Sequence, residues 1–155
     1  MASCGNDSGP GPITSIPAEV SSPATPKELR AAFIHAAQQD APAEYAATRF
    51  GDQWRLENEA QQFATTVDRD RLQVTSNDAA FQLSLQATAW GCEDMRTPVS
   101  DAKIEAAGNR IRLQREGLEE WYLNGPLGVE QGVILAQAPA CTGSKVVVMK
   151  VGGNL

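Results

Sequence analysis

The chain has 155 residues and a formal net charge of −6 at neutral pH. This length favours a single domain that buries enough apolar surface for its own core. The basic residues are scattered, which argues against binding to nucleic acid or to an anionic membrane surface, since both need clustered Lys and Arg. No stretch of the sequence approaches the roughly 20 apolar residues of a transmembrane helix.

The first 26 residues differ in composition from the rest of the chain. They hold five of the nine prolines, five serines and three glycines, and they contain no Lys or Arg. Such a segment buries too little apolar surface to offset the entropy lost on ordering it. We therefore predict an N-terminal region with a disordered tether over residues 1–26, followed by a folded domain over residues 27–155.

The folded domain is predicted to begin with a helix from Lys27 to Gln39. Thr25 is a suitable N-cap residue, and Pro26 suits the first turn. The segment is rich in helix-forming residues. His35 lies away from the apolar stripe of this helix. The stripe consists of Leu29, Phe33 and Ala36, with Ala32 beside them.

From Tyr45 onward the apolar pattern changes to a period of two. The segment from Phe81 to Ala89 alternates apolar and polar residues, as a half-buried strand does. Shorter alternating runs occur around Trp54, Leu72, Ile111 and Trp121, and residues 146–151 are nearly all apolar. Turn signals such as Gly108-Asn109 separate these runs. The pattern predicts a mainly β fold, an antiparallel β-sandwich of about nine or ten strands preceded by one N-terminal helix.

The aromatic residues offer a possible binding surface. Trp54 and Trp121 each share a strand face with a leucine two residues away, so we expect both to pack in the core. Trp90 and Tyr122 fall on the opposite, polar faces and are the candidates for ligand contact. On this interpretation they would contribute to a platform on which a sugar or a peptide stacks.

Cys4 lies in the sequence Met1-Ala-Ser-Cys-Gly5, which resembles the end of a bacterial lipoprotein signal. Such signals place small residues before a cysteine that becomes lipidated. Met1 stands where leucine is usual, and no charged region or apolar region precedes it. The alternative is an ordinary N-terminus that happens to contain a cysteine. The resemblance implies lipidation at Cys4, with a spacer after it.

The remaining cysteines, Cys92 and Cys141, are predicted to form a disulfide. Both lie in turn-like sequence, and an exported protein meets the oxidising conditions that a disulfide needs. The bond would close a loop of about 50 residues, which is worth roughly 4 kcal/mol in the chain-entropy model. Two buried free thiols are the alternative.

No residue pattern in the chain indicates catalysis or a metal site. His35 is the single histidine, and neither a nucleophile motif nor a phosphate-binding glycine loop is present. Glu119 and Glu120 are adjacent on a strand and therefore point to opposite faces. Asp68 and Asp70 belong to an expected solvated turn. We predict no catalytic residues, no metal and no cofactor.

Two segments carry a resemblance to a known family. Glu120-Trp-Tyr-Leu-Asn124, followed by Gly128-Val-Glu-Gln-Gly132, resembles a segment in the N-terminal β region of secreted bacterial proteins with FG-GAP (integrin-α-like) repeats. Residues 55–61 are similar to a second element of that region, with Glu59 in place of the usual proline, and residues 83–91 to the strand that follows. The likeness runs from about Phe33 to Leu155. It implies export and a β fold, but the chain contains no FG-GAP repeat.

These features together predict a non-catalytic structural or adhesive module of a bacterial envelope protein. The alternative is a ligand-binding module that contacts carbohydrate or peptide through an exposed aromatic surface. The expected partner is a protein or glycan of unknown identity. Contact with a membrane is expected only through lipid on Cys4, at the outer membrane or elsewhere in the cell envelope.

Overall fold

The computed structural model describes residues 27–154, which form one α-helix, α1 (Lys27–Gln39), and eleven β-strands. The strands are β1 (Thr48–Phe50), β2 (Gln53–Asn58), β3 (Phe63–Val67), β4 (Leu72–Ser76), β5 (Gln82–Cys92), β6 (Arg96–Pro98), β7 (Lys103–Ala107), β8 (Arg110–Arg115), β9 (Leu118–Gly125), β10 (Gly128–Leu135) and β11 (Lys145–Asn154). The predicted mainly β fold with one N-terminal helix is confirmed. The number of strands exceeds the prediction, and two of them, β1 and β6, are too short to show an alternating pattern.

The strands form two antiparallel sheets. In the first sheet the order is β1-β2-β3-β4-β5-β11, and β6 also pairs with β5; in the second it is β10-β9-β8-β7. The predicted tight turn at Gly108-Asn109 joins β7 to β8, with Ala107 opposite Arg110. Gly108 has a φ of +55°, a conformation that glycine adopts without steric cost.

One apolar core lies between the two sheets. On β5, Leu85 packs against this core and Ala87 is buried, as the alternating pattern predicted. Trp54 packs against the same cluster, which confirms its expected core position. The buried core residues are Leu56, Val67, Leu72, Ala102, Ile111, Leu113 and Tyr122. Each large apolar side chain buried in this way stabilises the fold by about 1.5–3 kcal/mol.

The predicted register of β9 is wrong. Tyr122, expected on the polar face, is fully buried in the core, whereas Trp121 is half-buried on the opposite face. The physical reason is that the core-facing side of β9 carries the polar residues Glu120 and Asn124, while Leu123 lies beside Trp121 on the side that α1 covers. A strand covered on both sides does not show the clean alternation of a half-buried strand.

The buried carboxylate of Glu120 is satisfied by two neighbours. Arg115 Nε donates to Glu120 Oε1 at 2.9 Å, and the Tyr122 hydroxyl donates to Oε2 at 3.1 Å. The same guanidinium donates to the carbonyl oxygens of Ser100 at 2.6 Å and of Arg69 at 2.8 Å. Because Arg69 belongs to the β3–β4 connection, this cluster ties the first sheet to the second.

Helix α1 has the predicted limits but turns an unexpected face to the sheet. Gln38 is buried, and His35 is half-buried against the second sheet. Leu29 and Phe33, the large residues of the apolar stripe, are exposed. An amphipathic helix normally buries its apolar stripe. Here polar side chains hold the helix instead.

Gln38 is the main attachment of α1 to the sandwich. Its side-chain nitrogen donates to the carbonyl oxygen of Gly128 at 2.7 Å, and its side-chain oxygen accepts from the backbone nitrogen of Leu127 at 3.1 Å. The side-chain nitrogen of Asn109 donates to the carbonyl oxygens of Gln38 and Asn124. The C-terminal end of α1 is therefore fixed to the β7–β8 and β9–β10 turns.

Candidate functional site

The outer face of the second sheet, turned away from the core, carries an aromatic and charged group of side chains. We call it the outer-face cluster: Trp121, Arg110, His35 and Glu130. Trp121 lies on β9 opposite Gly132 of β10, and its indole ring lies directly against Gly132. A side chain at position 132 would collide with the ring. The absence of a side chain at this one position therefore allows the indole to lie across the neighbouring strand.

Arg110 stacks on Trp121. The guanidinium carbon of Arg110 lies 4.4 Å from the centroid of the indole ring. Its Nε atom is buried and has no hydrogen-bond acceptor among the described residues. Stacking uses the faces of the guanidinium and leaves its N–H groups directed in the plane. Arg110 is thus held in one orientation without an ion-pair partner in the described part of the chain.

His35 joins α1 to the cluster. Its ring centroid lies 5.8 Å from that of Trp121, and its Nδ1 donates to Glu130 Oε2 at 3.1 Å. On the other side of the ring, the amide nitrogen of Gln39 donates to Nε2 at 2.8 Å. This pattern places a proton on Nδ1. Both ring nitrogens are occupied, so His35 acts as a structural link between the helix and β10.

A shallow cleft of about 370 Å³ lies beside the stacked pair. Its lining residues are Ala107, Arg110, Arg112, Glu119 and Ile134. The Ile134 side chain is 50% exposed and forms an apolar wall. Clefts of this size accept a sugar ring or an amino-acid side chain. The combination of an oriented guanidinium, a carboxylate and an apolar wall suits a polar ligand with a planar acceptor group.

Arg112 is less available than Arg110, because its Nη2 donates to Glu105 at 3.0 Å. The hydrogen bond and the charge of Lys103, followed by the charge of Arg112, lower the pKa of Glu105. Glu105 therefore stays ionised and remains an acceptor for Arg112. Arg110 is the residue of the cleft that retains unused donor capacity.

The two predicted ligand-contact residues are not brought together. Trp90 is half-buried on β5, and a Cβ atom at Gly117 would lie only 2.5 Å from its Cζ2 atom, so the indole packs against the β8–β9 turn. Tyr122 is 0% exposed, so its expected position on the exposed polar face is wrong. A shared aromatic platform of Trp90 and Tyr122 is not formed.

The predicted disulfide between Cys92 and Cys141 is present. The Cα atoms are 5.9 Å apart, and the bond links positions separated by 49 residues. It joins the end of β5 to the segment that leads into β11. A cleft of about 620 Å³ lies beside it, lined by the turn residues on both sides of the bond and by two carboxylates, Glu93 and Asp94. Cys4, the predicted lipidation site, lies outside the described residues.

Within residues 27–154 no group of three or more His, Cys, Asp or Glu side chains is placed to hold a metal ion. Over the same range, no helix is long and apolar enough to cross a membrane.

Sequence reasoning missed Arg110 and Gly132 because it assigned Trp121 to the core. With Trp121 on the outer face, the antiparallel register places Gly132 directly opposite it and Arg112 on its other side, with Arg110 two residues along the same face. The signal available in the sequence was the alternation of Arg110 and Arg112 with Ile111 and Leu113, which marks a polar outer face on β8. A tryptophan on the neighbouring strand could then have been placed beside those arginines.

Comparison with known proteins identified no matching family model, no matching curated protein and no matching solved structure.

Proposed function

We propose that this chain is a non-catalytic module of an exported bacterial envelope protein, with a structural or adhesive role. The observation that carries the proposal is the disulfide between Cys92 and Cys141. Structural disulfides persist in oxidising compartments and are rare in the bacterial cytosol. The lipoprotein-like sequence before Gly5 and the resemblance to the N-terminal region of FG-GAP repeat proteins support the same compartment.

The way α1 and the loops are attached favours a structural role. Gln38 hydrogen-bonds to Gly128 and Asn109, which fixes α1 to two turns of the second sheet. In a separate cluster, Arg115 donates to Glu120 and to the carbonyl oxygen of Arg69, which joins the two sheets. Buried polar networks of this kind favour one arrangement of the chain over its competitors. Such a domain presents fixed surfaces to a partner, which suits adhesion or scaffolding.

Cell fractionation tests the proposal. The gene, with its upstream region restored, is expressed in a bacterium, and the protein is followed by detergent partitioning and by protease treatment of intact and permeabilised cells. We expect the protein in the detergent phase, and Cys4→Ser should release it to the aqueous phase. Ser3→Ala is the matched control and should leave the partitioning unchanged. Cytosolic protein with freely alkylated Cys92 and Cys141 would contradict the proposal.

A second candidate function is binding of a ligand that carries a carboxylate. The observation that favours it is Arg110, whose guanidinium is oriented by Trp121 and which lines the cleft. A carboxylate accepts two parallel hydrogen bonds from a guanidinium. The overall charge of −6 disfavours long polyanions. An acidic sugar unit fits the size of the cleft and the mixture of polar and apolar groups that line it.

Ligand titrations monitored by NMR distinguish binding of a sugar from binding of a peptide. Short galacturonate oligomers are added to the protein and, in a parallel arm, acidic peptides of similar length and charge. We expect shifts at the Trp121 indole and the Arg110 guanidinium with the galacturonate oligomers, and none with Arg110→Gln. Arg96→Gln, at an exposed position on β6, is the control. Absence of saturable shifts with the sugar would contradict this second function, whatever the peptide does.

A further inference from the structure

His35, the only histidine of the chain, lies between α1 and the second sheet. Its Nδ1 atom is 3.1 Å from Oε2 and 3.3 Å from Oε1 of Glu130. The side chains of His35 and Glu130 are 36% and 28% exposed, so water screens their contact only in part. The pair therefore joins the helix to β10 in a setting where a change of charge on the imidazole affects the strength of the contact.

The second ring nitrogen has a partner that suits both protonation states of His35. Nε2 lies 2.8 Å from the side-chain nitrogen of Gln39. When Nε2 carries no proton, it accepts a hydrogen bond from this amide. When Nε2 carries a proton, a half turn of the amide presents the Gln39 oxygen as the acceptor. His35 can therefore gain a second proton without any movement of the α1 backbone.

The charged groups near His35 belong to the outer face of the second sheet. Within one turn of His35 on α1, residues 31–39 carry no other ionisable side chain. Strand pairing places the following ionisable residues on the outer face: Lys103 and Glu105 on β7, Arg110 and Arg112 on β8, Glu119 on β9 and Glu130 on β10. Glu130 contacts His35 directly, whereas Arg110 stacks on Trp121 and opposes a further positive charge nearby. Because Coulomb energy falls with distance, the carboxylate in direct contact has the larger effect.

We propose that His35 and Glu130 form a pH-dependent clasp, which holds α1 on the second sheet more tightly when the imidazole carries two protons. Histidine is the side chain that ordinarily changes charge between about pH 5 and 8. With one proton, the neutral ring donates from Nδ1 to the carboxylate. With two protons, donor and acceptor are both charged, and hydrogen bonds between charged groups are shorter and stronger. Acidification within this range therefore strengthens the attachment of α1.

The clasp adds a pH-dependent part to an attachment that does not titrate. Gln38 binds Gly128 and Leu127 through its side-chain amide, which keeps the same charge at every pH of interest. This amide holds the last turn of α1 whether or not the clasp is tight. Because α1 lies against Trp121, loosening of the clasp exposes more of the outer-face cluster. The accessible area of that cluster thus depends on pH.

Hydrogen exchange of the full 155-residue chain, measured by mass spectrometry at about pH 5.5 and about pH 8, tests the proposal. Each exchange rate is divided by the intrinsic rate of the same amides at that pH, and β8 serves as the internal reference. We expect α1 to be about two- to five-fold better protected at the lower pH, the range of a partly exposed ion pair. Equal protection of α1 at the two pH values in the wild type would overturn the proposal.

Two substitutions assign the pH dependence to the pair. Glu130→Gln keeps an acceptor for Nδ1 but removes the charge, and it should abolish the difference in α1 protection between the two pH values. His35→Gln removes the titrating group and should have the same effect. Glu116→Gln, at an exposed position in the β8–β9 turn, is the matched control and should retain the difference. A pH dependence that survives in Glu130→Gln would overturn the proposal.

NMR of the single imidazole gives a second measurement, which does not depend on the folding of any variant. Long-range proton–nitrogen spectra of the wild type show which ring nitrogen carries the proton at about pH 8. We expect the proton on Nδ1, because Nδ1 faces the Glu130 carboxylate. A proton on Nε2 alone would show that His35 does not donate to Glu130, and this result would also overturn the clasp.

Discussion

Asn58 and Asn124, 66 residues apart in the chain, form a buried hydrogen bond of 2.9 Å between their side chains. Asn58 ends β2 in the first sheet, and Asn124 lies near the end of β9 in the second. Asn124 also donates to the carbonyl oxygens of Glu57 at 2.7 Å and Tyr45 at 3.2 Å. The two sheets are therefore fixed to each other at this bond.

Replacement of Asn124 should strongly destabilise the domain. Asn124→Ala removes the side-chain donor to the carbonyl oxygens of Glu57 and Tyr45 and leaves the Asn58 amide nitrogen with the Gly125 carbonyl as its acceptor. Each buried group that loses its partner costs about 1–3 kcal/mol. We expect a loss of about 2–4 kcal/mol in the free energy of unfolding, measured by urea denaturation. Asn77→Ala, at an exposed turn, is the control and should change little.

Substitution of Asn58 gives a second measurement of the contribution of the Asn58–Asn124 hydrogen bond to stability. In a double-mutant cycle, Asn58→Ala and Asn124→Ala should be clearly non-additive, because each removes the shared hydrogen bond. Additive losses would show that the two asparagines stabilise the fold independently.

Tyr122 should matter more to stability than Trp121. Tyr122 is fully buried, and truncating a large buried aromatic costs about 3–5 kcal/mol. Trp121 is half-buried on the outer face, so Trp121→Ala should lower the melting temperature by less. Both variants are compared by thermal denaturation. A larger effect of Trp121→Ala would contradict the core register described for β9.

Stability should fall at alkaline pH because of Tyr122. Burial, followed by the charge of Glu120, raises the pKa of Tyr122 far above its ordinary value of 10.0. Below pH 10.0 the folded and the unfolded state both keep the tyrosine proton, so the free energy of unfolding retains its full value there. Above that pH the unfolded chain loses the proton first, so stability declines.

The alkaline decline is measured by urea unfolding at a series of pH values on either side of the ordinary tyrosine pKa. Tyr122→Phe cannot ionise and should show a smaller decline than the wild type, although its stability near neutral pH is lower because Glu120 loses a donor. Identical pH profiles for the two proteins would show that ionisation of Tyr122 does not cause the alkaline loss of stability.

Gly132→Ala should disturb the outer-face cluster. A methyl group at this position would collide with the Trp121 indole, and overpacking of this kind costs about 1–3 kcal/mol. We expect a shift in tryptophan fluorescence together with reduced stability. The control is Gly143→Ala, where an added methyl group meets nothing within 4 Å.

How much of this structure the sequence predicts depends on the local pattern of each element. The limits of α1, the alternation on β5 and the Gly108-Asn109 turn follow from short-range rules, and all three are as predicted. The disulfide followed from the odd cysteine count and the inferred compartment. These features depend on local sequence or on a simple count, so no tertiary knowledge was needed.

The failures occur where polar side chains face inward. Glu120 and Asn124 point toward the core because Arg115 and Asn58 satisfy them, and those partners are distant in sequence. Gln38 attaches α1 by the same principle. Apolar periodicity cannot reveal a buried polar group whose partner lies tens of residues away. The stacking of Arg110 on Trp121 was not predicted, because the wrong register of β9 placed Trp121 in the core.

Mass spectrometry of the intact protein, produced in a bacterium from the gene with its upstream region, tests export most directly. We expect a chain that begins at a lipid-modified Cys4 and contains one disulfide, which reduction and alkylation assign to Cys92 and Cys141. An unmodified chain that begins at Met1, with both of those cysteines alkylated before reduction, would contradict export and the proposed envelope function together.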